Sequence, residues 1–299
     1  MGQILDGARI RDQILEELRP RIAALPRPPG LAVVLVGDDP ASEIYVRNKV
    51  KACNELGLHS VKVTPPASVT TAELVAAIDR LNRDPAIDGI LVQMPLPGHI
   101  DSRAILEAVA ADKDADGFHP LNVGHLVANR PAPRSCTPAG ILESLKRHGI
   151  SIAGRRAVVL GRSDIVGKPM ALMLLHEHAT VTICHSRTSD LAEICREADI
   201  LVAAIGRPAF VTADFIREGA VVVDVGINRV ADRAAAERFG RLAAFEKHGS
   251  FVVGDVDPLA MARLAAAYTP VPGGVGPLTI AMLMSNTVWL GERHCSASA

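Results

Sequence analysis

"VVLGRSDIVGKPMALML", residues 158–174, runs from a β-branched strand through a short turn into an apolar helix. Gly161 ends the strand, where backbone can approach a phosphate closely. Gly167 and Pro169 open the helix, and proline suits a first helical turn. The free N–H groups of such a helix start favour an anion. The pattern is not GxGxxG: Ser163 replaces the second glycine, and Gly161 and Gly167 are too far apart. Taken alone, it serves any βα turn as well as it serves a nucleotide.

The next strand sharpens the reading. "TICHSRT" (182–188) ends in His185, Ser186 and Arg187. A strand of this kind in an NAD site ends in an acid that holds the ribose 2′-hydroxyl. Here a hydroxyl and a guanidinium stand there, and an arginine fork matches a phosphate dianion. NADP is therefore expected over NAD, with Arg187 following a buried strand. Two further strands end in glycine, at Gly206 and Gly226, where small residues let a cofactor lie across the sheet edge.

Outward from this stretch, short β-branched runs alternate with helical ones. "RAVVLG" (156–161), "ATVTIC" (179–184), "DILVAAIG" (199–206) and "AVVVDVG" (220–226) read as strands, with a helix over 166–177. Earlier, "LAVVLV" (31–36), "SVKVT" (60–64) and "DGILVQ" (88–93) alternate with helices over 42–57 and 71–83. This βαβ rhythm predicts parallel sheets covered by helices. "LVANRPAPRSCTPAG" (126–140) interrupts it and reads as a linker. The fold expected is α/β: two α/β units with a cleft between them, the second a Rossmann-like doubly wound parallel sheet. Ligands of each belong at the carboxyl ends of its strands. The expected divisions are 1–135, 136–270, and 271–299 as a C-terminal loop and helix, with a frayed tail at 296–299.

Composition excludes several classes. The net charge of −1 offers no basic field for nucleic acid or an anionic membrane. Aromatics are only 3%, too few for base-stacking platforms. No apolar run reaches the ~20 residues of a membrane helix, and the acidic, amphipathic start is not a targeting peptide. The five cysteines have no CxxC spacing, which points to free thiols, a reducing cytoplasm and no zinc site. Cys136 reads as a small buried filler rather than a nucleophile.

The chemistry is expected in the first unit. In "SEIYVRNKVKACNELGL" (42–58), Tyr45 and Lys49 share a helix face, and Gly57 caps the helix. Gln93 ends an apolar strand before Met94-Pro95-Leu96-Pro97, placed to bond a cleft ligand or Lys49. "DKDADGFHPLN" (112–122) alternates three acids but has no closing Glu for calcium, so no metal is expected. Asp116, before Gly117, is the best acid for an amino-heterocycle. "YTPVPGGVGPLT" (268–279) brings backbone close to a ligand ahead of a helix, through Pro272, Gly273 and Gly274.

Taken together, "YVRNKVKACNELG" (45–57), "DGILVQMPLP" (88–97), "KDADGFHPLNVG" (113–124), "CTPAG" (136–140), "GRSDIVGKP" (161–169), "CHSRT" (184–188), "DVGIN" (224–228), "GDVDP" (254–258) and "PVPGGVGPLT" (270–279) resemble the bifunctional methylenetetrahydrofolate dehydrogenase/methenyltetrahydrofolate cyclohydrolase family. The departures are Asp164, where the family often has Asn, Ser135 and Leu278. Asp164 adds a negative charge near the phosphate turn. The resemblance implies a cytoplasmic homodimer that binds folate and NADP. It implies a pterin over Tyr45, an amino-pyrimidine ring held by Asp116, and Lys49 as the central catalytic residue assisted by Gln93. Pro272, Gly273 and Gly274 join the substrate contacts. The cofactor contacts implied are Gly161, Arg162, Ser163, Val166, Gly167, Ser186, Arg187, Gly206, Gly226 and Ile227. An amine in a partly desolvated crevice can shuttle the proton that ring opening needs. Two rivals share parts of the pattern: an NADP-dependent dehydrogenase of amino acids or shikimate-like acids, and a non-catalytic nucleotide sensor.

Overall fold

The structure, a computed structural model, describes residues 2–297. In chain order the elements begin with β1 (Gln3–Ile4), α1 (Gly7–Ala23), β2 (Gly30–Val34), α2 (Pro40–Leu56), β3 (His59–Val63), α3 (Thr71–Arg83), β4 (Gly89–Val92), α4 (Ser102–Ala108), α5 (Pro120–Val127) and α6 (Cys136–Arg147). There follow β5 (Arg156–Leu160), α7 (Gly167–His176), β6 (Thr180–Cys184), α8 (Leu191–Arg196), β7 (Ile200–Ala203), β8 (Val221–Asp224), β9 (Asn228–Val230), α9 (Arg233–Arg238), α10 (Leu242–His248), β10 (Phe251–Val253), α11 (Pro258–Leu264), β11 (Ala267–Tyr268) and α12 (Val275–Ala297). The tail expected to fray is helical through Ala297; its last two residues lie outside the described ones.

The chain divides into two compact units. One joins the residues up to Ile10 to Thr137–Thr279; the other joins Arg11–Cys136 to the residues from Ile280 on. The first ten residues leave the segment that follows them because β1 lies parallel to β11. There Gln3 N donates to Ala266 O at 2.7 Å and Leu5 N to Tyr268 O at 2.8 Å.

The larger sheet has six parallel strands in the order β1-β11-β8-β7-β5-β6. Its chain order reverses at β5, which has β6 on one side and β7 on the other. Val158, Leu160, Leu201, Ala203 and Val222 put the apolar face of β5, β7 and β8 into one core. β9 and β10 form a separate antiparallel ribbon packed on α9 and α10 through Phe239, Phe245 and Phe251.

The other unit holds a parallel three-stranded sheet, β3-β2-β4, and reverses at β2. α3 buries Leu74, Ile78 and Leu81 against it, a helical spacing, behind a complete Thr70/Glu73 capping box. The stretch expected as a linker is shorter than its prolines predict. α5 runs to Val127 and α6 starts at Cys136, since Pro138 sits within a first helical turn that tolerates it. No helix among the described residues is long and apolar enough to cross a membrane.

Asp88, fully buried, pins the entry to β4. It accepts both terminal nitrogens of Arg27 (2.6 and 2.8 Å), the Gly30 N–H (2.8 Å), and pairs with His294 of α12 (2.9 Å). Burial alone would raise this carboxyl, but Arg27, Gly30 and His294 outweigh it and hold it below the ordinary carboxylate range. Asp88→Ala removes the acceptor of the buried Gly30 N–H and the carboxylate partner of Arg27 and His294. The variant is expected to lose about 3 kcal/mol of unfolding free energy in urea denaturation; a loss under about 0.5 kcal/mol, the scale of a surface substitution, would show that the pin is dispensable.

Candidate active site

α2 is a helix fixed at both ends. Asp39 caps it by accepting the Ser42 N–H at 2.8 Å, Pro40 stands in its first turn, and Gly57 ends it in the left-handed region. Ser42, Val46, Cys53 and Leu56 form its buried face. Tyr45 and Lys49 lie one turn apart on the neighbouring stripe, Tyr45 40% exposed and Lys49 half-buried. Partial burial raises the Tyr45 hydroxyl above the ordinary phenol.

Lys49 is not a freely solvated amine. Its Nζ donates to Gln93 Oε1 at 3.0 Å, and Gln93 in turn donates Nε2 to Met94 O at 2.7 Å. The carboxamide at the end of β4 is therefore oriented with its oxygen toward the lysine. Asp116 lies within the electrostatic reach of the same ammonium. It belongs to a stretch that runs beside β4, where Ile90 N donates to Lys113 O at 2.6 Å and Ala115 N to Ile90 O at 3.2 Å. Burial pushes the Asp116 carboxyl up to about 6; Lys49 opposes that shift and the charge of Asp114 adds to it.

The three alternating acids have separate fates. Asp112 is exposed. Asp114 is buried and spent on its own loop, accepting Gly117 N–H (3.0 Å), His119 N–H (2.8 Å) and Asn122 Nδ2 (2.9 Å). Asp116, partly buried beside the Lys49 ammonium, has one side-chain contact among the described residues, from the Cys136 thiol at 3.9 Å. Behind it, the buried Cys136 thiol contacts Ala115 O at 3.5 Å, and burial raises that thiol well above the ordinary range. Asn286 of α12 donates Nδ2 to Ala115 O and Arg134 O, both at 2.9 Å. Asn286 is absent from the sequence reading; its signal is the polar Ser-Asn-Thr triplet (285–287) inside an apolar helix. Among the described residues, no group of three or more His, Cys, Asp or Glu is arranged to hold a metal.

In the six-stranded unit, Gly161 leaves β5 with φ +135°, a conformation that L side chains rarely adopt, and a Cβ there would stand 2.2 Å from Ala204 O. Its N–H donates to Cys184 O at 2.9 Å, so the turn after β5 and the end of β6 are tied side by side. Ser163 Oγ accepts the Val166 and Gly167 N–H groups, both at 3.2 Å, shaping the start of α7. Arg162, Ser163, Ser186 and Arg187 are exposed around this turn, and no carboxylate pairs with Arg187 among the described residues. The strand before Arg187 is not buried as expected. β6 is the sheet's edge, and only Cys184 of it is buried. The glycine of Gly226 answers to packing: a Cβ there would stand 2.4 Å from Asp255 N and Oδ1. Ile227 next to it is exposed. Pro272, Gly273 and Gly274 belong to this unit too, with Gly274 O against the α-carbon of Gly7. A reversal point in a parallel sheet, a helix start with shaped N–H groups and an unpaired exposed guanidinium fit a dinucleotide phosphate.

The profile of the tetrahydrofolate dehydrogenase/cyclohydrolase catalytic domain matches residues 5–116, and that of the family's NAD(P)-binding domain matches residues 135–295. The bifunctional protein FolD of Solibacter usitatus is 64% identical over 302 residues, covering 98% of this chain and 99% of that one. This chain belongs to the tetrahydrofolate dehydrogenase/cyclohydrolase family. Among solved structures, FolD of Campylobacter jejuni superposes with a TM-score of 0.90 at 42% identity, covering 98% of this chain and 99% of its own. FolD of Trypanosoma brucei, complexed with NADP and an inhibitor, gives 0.90 at 40% identity, covering 100% and 99%. As a member of the family the chain is a bifunctional enzyme, dehydrogenase and cyclohydrolase, with an NAD(P)-binding domain. Membership sets aside both the shikimate-type dehydrogenase and the non-catalytic sensor.

Asp116 carries a measurable signature. The folded chain holds this proton up to about pH 6, while the unfolded chain releases it near 3.8. Stability from this group is thus fully present below pH 3.8 and lost as pH rises to about 6. Asp116→Asn should flatten that part of the pH–Tm profile in thermal denaturation; an unchanged profile would show that the carboxyl does not titrate in this window.

Proposed function

We propose that this chain oxidises 5,10-methylenetetrahydrofolate with NADP+ and hydrolyses the resulting 5,10-methenyltetrahydrofolate to 10-formyltetrahydrofolate, with Lys49 moving the proton. One observation carries the assignment of roles: the Lys49 ammonium is bonded to the Gln93 carboxamide and lies in the field of a half-buried Asp116. Bound NADP+ supplies the hydride acceptor. The protein's part in that step is positioning.

Above about pH 6 Asp116 is a carboxylate, able to accept the N–H groups of an amino-pyrimidine edge. Tyr45 offers a flat face for the pterin and a hydroxyl at its rim. Pro272, Gly273 and Gly274 are further substrate contacts. In the hydrolytic step water adds to the cationic methenyl carbon and the bond from that carbon to N5 breaks; of the two protons the water gives up in becoming the formyl oxygen, one goes to N5 and the other to solvent. Lys49 relays the proton from the attacking water towards N5, and Gln93 keeps the ammonium aimed. Arg187 and Ser186 hold the 2′-phosphate, and Gly161, Arg162, Ser163, Val166 and Gly167 the turn at the pyrophosphate. Gly206, Gly226 and Ile227 take the nicotinamide half. A cytosolic homodimer belongs to the same reading; the family resemblance and the five free thiols support it.

Lys49→Met is expected to abolish methenyltetrahydrofolate hydrolysis while leaving NADP+ binding intact, followed by loss of methenyl absorbance and by titration calorimetry. An undiminished hydrolysis rate would remove Lys49 from the mechanism. Arg187→Ala is expected to raise the KM for NADP+ by about tenfold or more, a lost charge-assisted bond, with little effect on the folate KM. Equal effects on both would take Arg187 out of the 2′-phosphate site.

A further inference from the structure

We propose that Asp255 is a positioning residue for the cofactor, fixing the two loops that receive the nicotinamide half. The inference rests on the cofactor reading above and extends it to a fully buried residue behind those loops.

Asp255 is fully buried, and its carboxylate is saturated by donors from two places. Oδ2 accepts the N–H of Ile205 at 2.6 Å and of Gly206 at 2.9 Å. Oδ1 accepts the N–H of Arg207 at 2.8 Å and Nδ2 of Asn228 at 2.9 Å. Ile205–Arg207 is the turn leaving β7. Asn228 starts β9, immediately after Gly226 and Ile227 on the way out of β8. β7 and β8 are neighbours, and β7 adjoins β5, where the chain order reverses. One carboxylate thus joins consecutive loops on the carboxyl edge of the sheet, beside the crevice where a dinucleotide belongs.

Asp255 is itself held. Buried Asp224, the last residue of β8, accepts Asp255 N–H at 2.8 Å and Gly226 N–H at 3.0 Å through Oδ1, and Val256 N–H at 3.0 Å through Oδ2. A side chain at Gly254 would collide with that carboxylate, since a Cβ there would stand 1.8 Å from Asp224 Oδ2. The "GDVD" segment (254–257) is therefore a tiered clamp: Asp224 fixes the backbone of Asp255, and the side chain of Asp255 fixes the loop after β7.

Four donors converge on one carboxylate, so an amide cannot substitute for it. Asn at 255 keeps one acceptor oxygen and turns an NH2 group towards two existing N–H donors. The loops must then shift or leave buried donors unpaired. Asp255→Asn is expected to weaken NADP+ binding, read by titration calorimetry without folate, by about tenfold or more. Methenyltetrahydrofolate hydrolysis assayed without cofactor should stay within about twofold, because Lys49, Gln93 and Asp116 lie in the other unit. That split separates positioning from general destabilisation. A parallel fall in both readouts, or unchanged NADP+ affinity, would overturn the proposal. Should this variant fail to fold, Asn228→Ala deletes one of the four bonds and is expected to weaken NADP+ binding about threefold with hydrolysis unchanged; unchanged affinity there overturns it as well. If the unsubstituted chain shows no NADP+ binding, the cofactor reading falls and takes this inference with it. If it binds normally and the variants do too, only the role of Asp255 falls.

Discussion

The hydrogen bond from Lys49 Nζ to Gln93 Oε1 joins a helix to the end of a strand, and its geometry depends on how those two elements are held elsewhere. A lysine side chain loses up to about 2 kcal/mol of rotamer freedom when fixed, which one hydrogen bond scarcely offsets. The surroundings therefore have to present the partner already in place. α2 is capped at both ends and seated on Val46, Cys53 and Leu56. β4 is pinned at its start by Asp88 and extended at its side by the strand-like pairing of Ile90 with the 113–115 backbone. Gln93 is then oriented by the carbonyl that follows it. Each support is local and none is itself chemical, yet together they decide where one ammonium points.

A second constraint recurs across the chain. Where a parallel strand stops, its loop exposes main-chain N–H groups that no neighbouring strand accepts, and burial makes those costly. This chain answers with aspartate. Asp114 serves the loop after 113, Asp224 the loop after β8, and Asp255 the loop after β7. Asp224 shows the cost of the device: burial pushes its carboxyl up to about 7, although three backbone N–H bonds oppose the rise. A motif such as "DVGIN" or "GDVDP" is thus internal scaffolding at the residues that look most like chemistry, and its outward-facing residue, Ile227, is apolar.

This explains what could be read from the sequence and what could not. Seven strands of the two parallel sheets stand where β-branched runs are bounded by turn residues, most within two residues; the run 199–206 overshoots β7, which ends at Ala203, and the short β9, β10 and β11 carry no such run of their own. Tyr45 and Lys49 share a face by helical period alone, and Gln93 stands out as a polar end to an apolar run. The place of Asp116 before Gly117 marks it out locally, but the reason Asp114 is not its equal is visible only in the fold, where Gly117, His119 and Asn122 consume it. Asp255 reaches a turn some fifty residues earlier in the chain, a partnership with no periodic trace. The exposure of β6 was missed because an edge strand and a central one can share a β-branched composition, and edge position belongs to topology. β1 was missed for a related reason: two residues are too short to make a pattern, and β11 defines them as a strand.

The departure at Asp164 illustrates how local electrostatics must be argued from pairs rather than from single residues. Read alone, a carboxylate in the phosphate turn opposes an anionic ligand. In the fold Asp164 is paired with Lys168 one helical turn on, and both are largely exposed. Such a pair adds little to stability, but it leaves the turn close to neutral where an isolated aspartate would leave it negative. Arg162 and Arg187 then remain as the charges exposed around the Gly161 turn, both positive. At an ionic strength near 0.15 M, screening over about 8 Å favours the nearest groups. The paired Asp164 is therefore compatible with a phosphate at this edge, and on the reading proposed above selectivity between the two dinucleotides rests with Arg187, because a guanidinium bonds a phosphate more strongly than a hydroxyl.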